Sequence, residues 1–192
     1  MKVRVHKILK NTKVEGPETR YCIWFQGCSR HCKGCWAKAT WDLTGGFELD
    51  AEDILKDILF TPNIEGVTFL GGEPFEQADA VKFLAENLQK NGLGVVCFTG
   101  NKIDEIERKD VLEYIDLLID GEFMEEEKDY SRPWVGSKNQ NYHFLSARYS
   151  PEIITKYKNK IEINISKNGM IFINGMGDFE KFSKNLDMLT TH

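Results

Sequence analysis

Three cysteines lie close together near the start of the chain, at Cys28, Cys32 and Cys35, with three and then two residues between them. Thiolates at this spacing can hold three irons of a cubic [4Fe–4S] cluster from a single loop. Three protein ligands leave the fourth iron free to bind a small molecule. The spacing therefore predicts a cluster that takes part in chemistry, and not one that only carries electrons.

Two other kinds of metal site fit these cysteines less well. A structural zinc site usually takes a second pair of cysteines or histidines further along the chain, and the sequence has no such pair. A ferredoxin-type carrier takes four cysteines at a different spacing. Cys22 lies in the strand-like segment 21–25 and Cys97 in an apolar run, so we expect both to be core residues. A passive iron–sulfur or zinc module stays open as the alternative to an enzyme.

The composition is that of an ordinary globular chain. It has 192 residues, of which 41% are hydrophobic and 29% are charged, and we expect a single domain over 1–192. The net charge of −5 argues against a general nucleic-acid binder. The sequence shows neither a membrane-length apolar run nor a secretory signal. We therefore expect a cytoplasmic protein with no membrane partner, whose cysteines are free thiols and not disulfides.

After the cysteines the chain alternates strand and helix patterns, which is typical of a parallel sheet covered by helices. Apolar runs predict the strands, and apolar residues at helical spacing predict the helices. The predicted strands are 21–25, 66–70, 94–98 and 117–119, and the predicted helices are 49–59 and 76–91, followed by a weaker one. The sequence thus indicates an α/β fold.

Three of these strands end in polar or glycine-containing turns. In parallel α/β folds the ligand site lies at the carboxyl ends of the strands. We therefore expect these turns to meet the cysteine loop at one edge of the sheet. The turn residues are Gly71, Gly72, Glu73 and Pro74 after one strand, Thr99, Gly100 and Asn101 after the next, and Asp120 after the third.

The remainder of the chain has a different pattern. Residues 122–150 show little periodicity and predict a long ordered loop, which usually has a function. Trp134 within it is a candidate aromatic anchor for a partner. Alternating isoleucines over 161–173 predict a hairpin. A final amphipathic helix is predicted from Phe179, Phe182, Leu186 and Leu189.

The cysteine loop and the Gly71–Pro74 turn together resemble the radical S-adenosylmethionine enzymes. Within that superfamily the chain is most similar to the glycyl-radical activating enzymes, and among these to the activating proteins of anaerobic ribonucleoside-triphosphate reductase. The resemblance covers roughly residues 1–145. It is carried by Val14-Glu15-Gly16-Pro17, Arg20, Phe25-Gln26-Gly27-Cys28, Thr40-Trp41-Asp42, Gln77, Asp120-Gly121-Glu122-Phe123, Arg132-Pro133-Trp134 and Gly136-Ser137-Lys138-Asn139-Gln140.

The resemblance implies an incomplete parallel (β/α) barrel with a C-terminal hairpin and helix. It implies that Cys28, Cys32 and Cys35 hold the cluster and that S-adenosylmethionine binds the open iron. Glu73 would then pair with the ammonium group of that cofactor. The implied reaction installs a glycyl radical on a partner enzyme, with reduced flavodoxin or ferredoxin as electron donor. A radical modifier of a peptide or small molecule stays open as the alternative enzyme.

Several of these residues also have a plainer explanation. The Gly71–Pro74 stretch could be a simple strand-to-helix turn, Thr99 could cap a helix and Asp120 could stabilise a turn. Trp36 could shield the cluster, line the adenosine pocket or pack in the core. Glu125, Glu126 and Glu127 are expected to form a solvated face, with docking of a basic partner as the alternative.

Overall fold

The computed structural model describes residues 1–169 and 171–178. Nine strands lie in this part of the chain: β1 Lys2–Thr12, β2 Arg20–Phe25, β3 Phe47–Asp50, β4 Gly66–Gly71, β5 Gly94–Phe98, β6 Leu117–Asp120, β7 Asn141–Phe144, β8 Ile161–Ile165 and β9 Ile171–Gly175. Its α-helices are α1 Ala51–Phe60, α2 Ala78–Lys90, α3 Lys109–Leu112 and α4 Ile153–Lys156.

Seven strands form one sheet in the order β3-β1-β2-β4-β5-β6-β7. The four central strands β2, β4, β5 and β6 run parallel, whereas β1, β3 and β7 pair antiparallel with their neighbours. The predicted α/β class and parallel core are confirmed. Closure of these strands into a partial barrel stays a prediction, as does the single domain.

The sheet is buried on both faces in its centre. Alternate residues of the strands, such as Ile23 and Phe69, pack with the apolar faces of α1 and α2 in the main core. Trp134, Val135 and Tyr149 pack in a second cluster on β5 and β6. Strands that are buried on both faces consist of continuous apolar residues, and for this reason the central strands could be predicted from the sequence.

Several elements differ from the sequence prediction, which did not include β1 and β3. The helix predicted over 49–59 begins at Ala51, because Leu49 and Asp50 belong to β3. A 3₁₀ turn occupies Pro74–Gln77, so the helix predicted from residue 76 begins at Ala78. The segment 122–150 is not purely a loop, because it contains β7, which pairs with β6. β7 has only four residues, none fully buried, and so it leaves no clear alternation in the sequence.

The C-terminal hairpin is confirmed as the separate two-stranded sheet of β8 and β9. The helix predicted around Phe179 to Leu189 lies outside the described residues. None of the helices in the described part of the chain has the length and apolar character needed to cross a lipid bilayer.

Candidate iron–sulfur and ligand site

The cysteines lie on a loop that leaves the carboxyl end of β2 and returns to close on itself. Gly27 N–H donates to the Thr40 carbonyl at 2.7 Å, and Cys28 N–H donates to the Trp41 carbonyl at 3.2 Å. Inside the loop, a turn is closed by Cys35 N–H donating to the Cys32 carbonyl at 3.1 Å. The backbone therefore presents all three thiols from one short closed segment.

The three thiols are partly or fully shielded from solvent, and two of them accept backbone N–H donors. Cys28 is buried, and Cys32 and Cys35 are half-buried. Burial raises the pKa of the Cys28 thiol, while the backbone N–H groups of Arg30 and His31 donate to its sulfur and oppose that rise. Burial likewise raises the pKa of the Cys32 thiol, and the N–H of Phe123 opposes it. The pKa of both thiols stays above its ordinary value, so the N–H donors only partly offset the effect of burial on the thiolate form that binds iron.

Glu73 connects the turn after β4 to the turn after β5. Its Oε1 accepts hydrogen bonds from Phe75 N–H at 3.0 Å and from the Thr99 hydroxyl at 2.8 Å. Its Oε2 accepts from Gly100 N–H at 2.9 Å. Only 3% of Glu73 is exposed, and burial raises its pKa while these three donors lower it. The carboxylate is thus held in one position at the edge of the sheet.

The same β4 turn is fixed against the start of the cysteine loop. Gly72 N–H donates to the Phe25 carbonyl at 2.9 Å, and Glu73 N–H donates to the Gly27 carbonyl at 2.8 Å. A Cβ atom added at Gly72 would lie 2.1 Å from the Gly27 carbonyl oxygen. Glycine is required here because two backbones touch, and the contact sets Glu73 beside the cysteine loop.

A cavity of about 270 Å³ lies where the cysteine loop meets these turns. The edge of the sheet thus gathers residues from separate parts of the sequence, as predicted. The lining residues are Ser29, Arg30, Glu73, Phe75, Glu76, Asn101, Glu105, Ile106, Glu107 and Arg108. Of the candidate ligand residues, Glu73 and Asn101 line this cavity directly.

Arg30 is a site residue that the sequence analysis missed. It lies between Cys28 and Cys32, and its Nη2 donates to Asn101 Oδ1 at 2.9 Å. The guanidinium also pairs with Glu105 at 3.3 Å and with Glu122 at 3.6 Å. It therefore ties the cysteine loop to the turns after β5 and β6. An arginine among cysteines carries no sequence signal for this role, because its partners lie more than 70 residues away.

Glu76 and Gln77 hold the beginning of the cysteine loop. Glu76 Oε1 accepts from Ser29 N–H at 2.7 Å, and Gln77 Nε2 donates to the Gln26 carbonyl at 2.9 Å. Gln77 also bonds the backbone of Arg4 on β1. Gln77 had a sequence signal, since it forms part of the motif that carries the family resemblance. Glu76 had none.

The comparisons with known proteins agree with this site. Residues 14–143 match the family model described as a 4Fe-4S single cluster domain. The anaerobic ribonucleoside-triphosphate reductase-activating protein of Salmonella typhimurium is 33% identical over 153 residues, which cover 74% of this chain and 99% of that protein. The protein of the same name from Vibrio cholerae is 34% identical, covering 68% of this chain and 90% of that protein. The chain belongs to this family of activating proteins.

Among solved structures, the crystal structure of QueE from Escherichia coli matches with a TM-score of 0.47 and 20% identity, over 60% of this chain and 68% of that chain. The family resemblance stated from the cysteine spacing and the Gly71–Pro74 turn is confirmed by the activating-protein relatives. The expected cofactors, a [4Fe–4S] cluster and S-adenosylmethionine, are those of this family.

The cysteine loop fits such a cluster by its donor set, since three free thiols are on one loop and two of them, Cys28 and Cys32, accept backbone N–H donors. Within 1–169 and 171–178, no three Cys, His, Asp or Glu side chains are arranged to hold one metal ion. A cubane binds each thiolate to a different iron, so it does not require that arrangement.

The remaining candidate ligand residues are not among those that line the cavity. Pro74 is buried in the turn, and Thr99 is 4% exposed and bonded to Glu73. Asp120 is also buried, accepts from Ile103 N–H at 2.8 Å and lies 2.9 Å from His143 Nε2. Trp36 is 60% exposed, which excludes core packing. Direct contact of these four residues with a cofactor stays a prediction.

Two expectations for the segment 122–150 need correction. Trp134 is 2% exposed, and its ring lies 5.1 Å from that of Tyr157, so it cannot serve as a surface anchor for a partner. The acidic run is not only a solvated face, because Lys33 of the cysteine loop pairs with Glu126 at 2.6 Å and with Glu125 at 3.7 Å. Its basic partner is thus in the same chain.

Proposed function

We propose that this protein is a radical S-adenosylmethionine enzyme that installs a glycyl radical on an anaerobic ribonucleoside-triphosphate reductase. The relatives are named as activating proteins of that reductase, and the family model is that of a single [4Fe–4S] cluster. The observation that carries the proposal is the shared cavity, which residues of the cysteine loop and Glu73 line together. A cytoplasmic location and a flavodoxin or ferredoxin donor belong to the same proposal.

In this proposal Cys28, Cys32 and Cys35 hold three irons of the cluster. Bound there and reduced, the cluster would supply the electron for reductive cleavage of S-adenosylmethionine. The loop closure at Thr40 and Trp41 fixes the three sulfur atoms relative to the sheet edge. Orientation by the protein is its main contribution to such chemistry.

Glu73 is assigned to the ammonium group of S-adenosylmethionine. Each carboxylate oxygen can accept about two hydrogen bonds. Oε1 already accepts two, from Phe75 and Thr99, whereas Oε2 accepts one, from Gly100. We therefore assign Oε2 as the atom that receives the ammonium. Its position is set before binding, which reduces the entropy lost on binding.

Asn101 and Arg30 complete the lining on the side of β5. Asn101 Nδ2 donates to the Thr99 hydroxyl at 3.1 Å, and its Oδ1 accepts from Arg30. The Arg30 guanidinium brings positive charge to a cavity that also contains Glu73, Glu76 and Glu105. That positive charge suits the carboxylate of the cofactor, just as Glu73 suits its ammonium.

The test uses anaerobically reconstituted and reduced protein mixed with S-adenosylmethionine and the anaerobic reductase from the same cell. We expect 5′-deoxyadenosine and methionine in equal amounts, together with a glycyl-radical signal in electron paramagnetic resonance. Cleavage without any radical on the reductase, combined with modification of a peptide or metabolite, would support the alternative enzyme. Absence of cleavage by cluster-loaded protein would support a passive binding module.

A further inference from the structure

A second cavity of about 270 Å³ lies away from the cysteine loop. It is formed where the segment before β2 meets the segment that precedes β8. The lining residues are Lys13, Glu18, Thr19, Trp134, Tyr157, Lys158 and Lys160. Thr19 adjoins the first residue of β2, whereas the cysteine loop follows its last residue, so a six-residue strand separates the two sites by roughly 20 Å.

The charge of this cavity is opposite to that of the whole chain. Lys13, Lys158 and Lys160 are exposed at its edge, with Glu18 as the only acidic lining residue within the described chain. None of these three lysines forms an ion pair with another described residue. In contrast, surface lysines such as Lys56 and Lys90 are paired with carboxylates. Three cations around one cavity, in a chain of net charge −5, thus have no ion-pair partner among residues 1–169 and 171–178.

The wall of the cavity is aromatic and firmly held. The Tyr157 ring packs on Trp134, and the Tyr157 hydroxyl accepts from Glu18 N–H at 3.1 Å. The backbone N–H of Trp134 donates to Asn159 Oδ1 at 2.7 Å. Glu18 and Trp134 both have left-handed backbone, with φ values of 63° and 62°. Such conformations cost about 1–3 kcal/mol for residues other than glycine and are concentrated at functional sites.

We propose that this cavity binds the oligophosphate group of a small molecule, such as a nucleoside triphosphate. The three lysines supply the positive charge that phosphate oxygens require. The half-buried Tyr157 ring offers an apolar surface to a base attached to that group. The proposal does not rest on the function proposed for the cysteine loop, because the two cavities share no lining residue.

The experiment measures binding to cluster-loaded protein by calorimetry under anaerobic conditions, with inorganic tripolyphosphate in one arm and ATP in the other. We expect saturable binding of both probes, weakened as NaCl is raised from about 50 to 300 mM. Tighter binding of ATP would identify a nucleotide as the ligand, and equal binding would identify the phosphate chain alone. The iron content is measured again afterwards, because tripolyphosphate also binds iron.

The double variant Lys158→Ala and Lys160→Ala should raise the Kd for tripolyphosphate at least tenfold. The control is the double variant Lys56→Ala and Lys90→Ala, which removes the same charge from α1 and α2. Its Kd should stay within twofold of the original value. Thermal unfolding of each variant verifies folding, and since Lys158 and Lys160 are exposed we expect no change. No saturable binding, or equal loss in both double variants, would overturn the proposal.

Discussion

The Glu73 carboxylate accepts a hydrogen bond of 2.8 Å from the Thr99 hydroxyl, and this contact joins the ends of two neighbouring parallel strands. Thr99 does not cap a helix, because the next helical turn begins only at Ile103. Its hydroxyl donates to Glu73 and accepts from the backbone and side-chain N–H groups of Asn101. If Gly71–Pro74 were only a strand-to-helix turn, the buried position of Glu73 would still be explained. Such a turn does not account for Oε2, which keeps capacity for another donor at the cavity.

Glu73→Gln should weaken binding of S-adenosylmethionine without removing the cluster. A neutral amide loses the charge-assisted bond, which is worth roughly 1.5–3 kcal/mol, and so the Kd should rise at least tenfold. Equilibrium binding and iron content are measured on the same sample. Glu107→Gln, which lines the same cavity, is the control and should leave the Kd unchanged. If Glu73→Gln binds as tightly as the original protein, the role assigned to Oε2 is wrong.

Replacing any one of Cys28, Cys32 and Cys35 with alanine should abolish the cluster. The unaltered protein should hold about four irons per chain after anaerobic reconstitution. Cys22→Ala and Cys97→Ala are the controls, because both side chains are fully buried in the sheet. Iron analysis and the visible absorption of the cluster are the measurements. Retention of the cluster in Cys35→Ala together with its loss in Cys22→Ala would reverse the ligand assignment.

Gly72→Ala should lower both stability and iron retention. The added Cβ would meet the Gly27 carbonyl oxygen at 2.1 Å and so force the β4 turn away from the cysteine loop. Gly92→Ala is the matched control, since it strains a backbone with φ of 76° but meets no atom within 4 Å. The control should cost about 1–2 kcal/mol and leave the iron content unchanged. Equal iron content in both variants would contradict the proposed role of this contact.

The parallel strands and the meeting of their turns at one edge were predicted from the sequence, because apolar runs such as 94–98 indicate burial on both faces. The order of the strands in the sheet was not predicted. The burial of Trp134 was not predicted from the sequence. An aromatic residue with polar neighbours in the sequence can be buried or exposed, and the sequence pattern is the same in both cases. Arg30 was missed for another reason, since its role depends on Asn101, Glu105 and Glu122, which only the fold brings near. The residue types along one strand indicate whether that strand is buried. They do not indicate which side chains from distant parts of the sequence come into contact.

Arg30→Ala should speed the loss of the cluster to a chelator. The guanidinium ties the cysteine loop to Asn101 and Glu105, and its removal leaves that part of the loop without these contacts. Arg108→Ala is the control, because Arg108 lines the same cavity but pairs with Asp79 and Asp110. The rate of bleaching under chelator is the measurement. Equal rates in the two variants would show that Arg30 does not hold the loop.

Replacement of Trp36 and of Trp134 by alanine should have very different effects on the free energy of unfolding. Trp134→Ala removes a side chain that is 2% exposed in the second core cluster, so it should lower the free energy of unfolding by about 3–5 kcal/mol. Trp36→Ala removes a side chain that is 60% exposed, so stability should change by less than about 0.5 kcal/mol.

Trp36→Ala and Trp134→Ala should also differ in how well they bind S-adenosylmethionine. Trp36 follows the third cysteine directly, and we expect its loss to weaken binding of the cofactor or the retention of iron. Trp134→Ala, measured at a temperature where it is folded, should bind the cofactor normally, because Trp134 does not line that cavity. Urea unfolding and equilibrium binding are the measurements. A stable Trp134→Ala variant with impaired binding, beside an unfolded Trp36→Ala variant, would contradict both the packing and the site described for this chain.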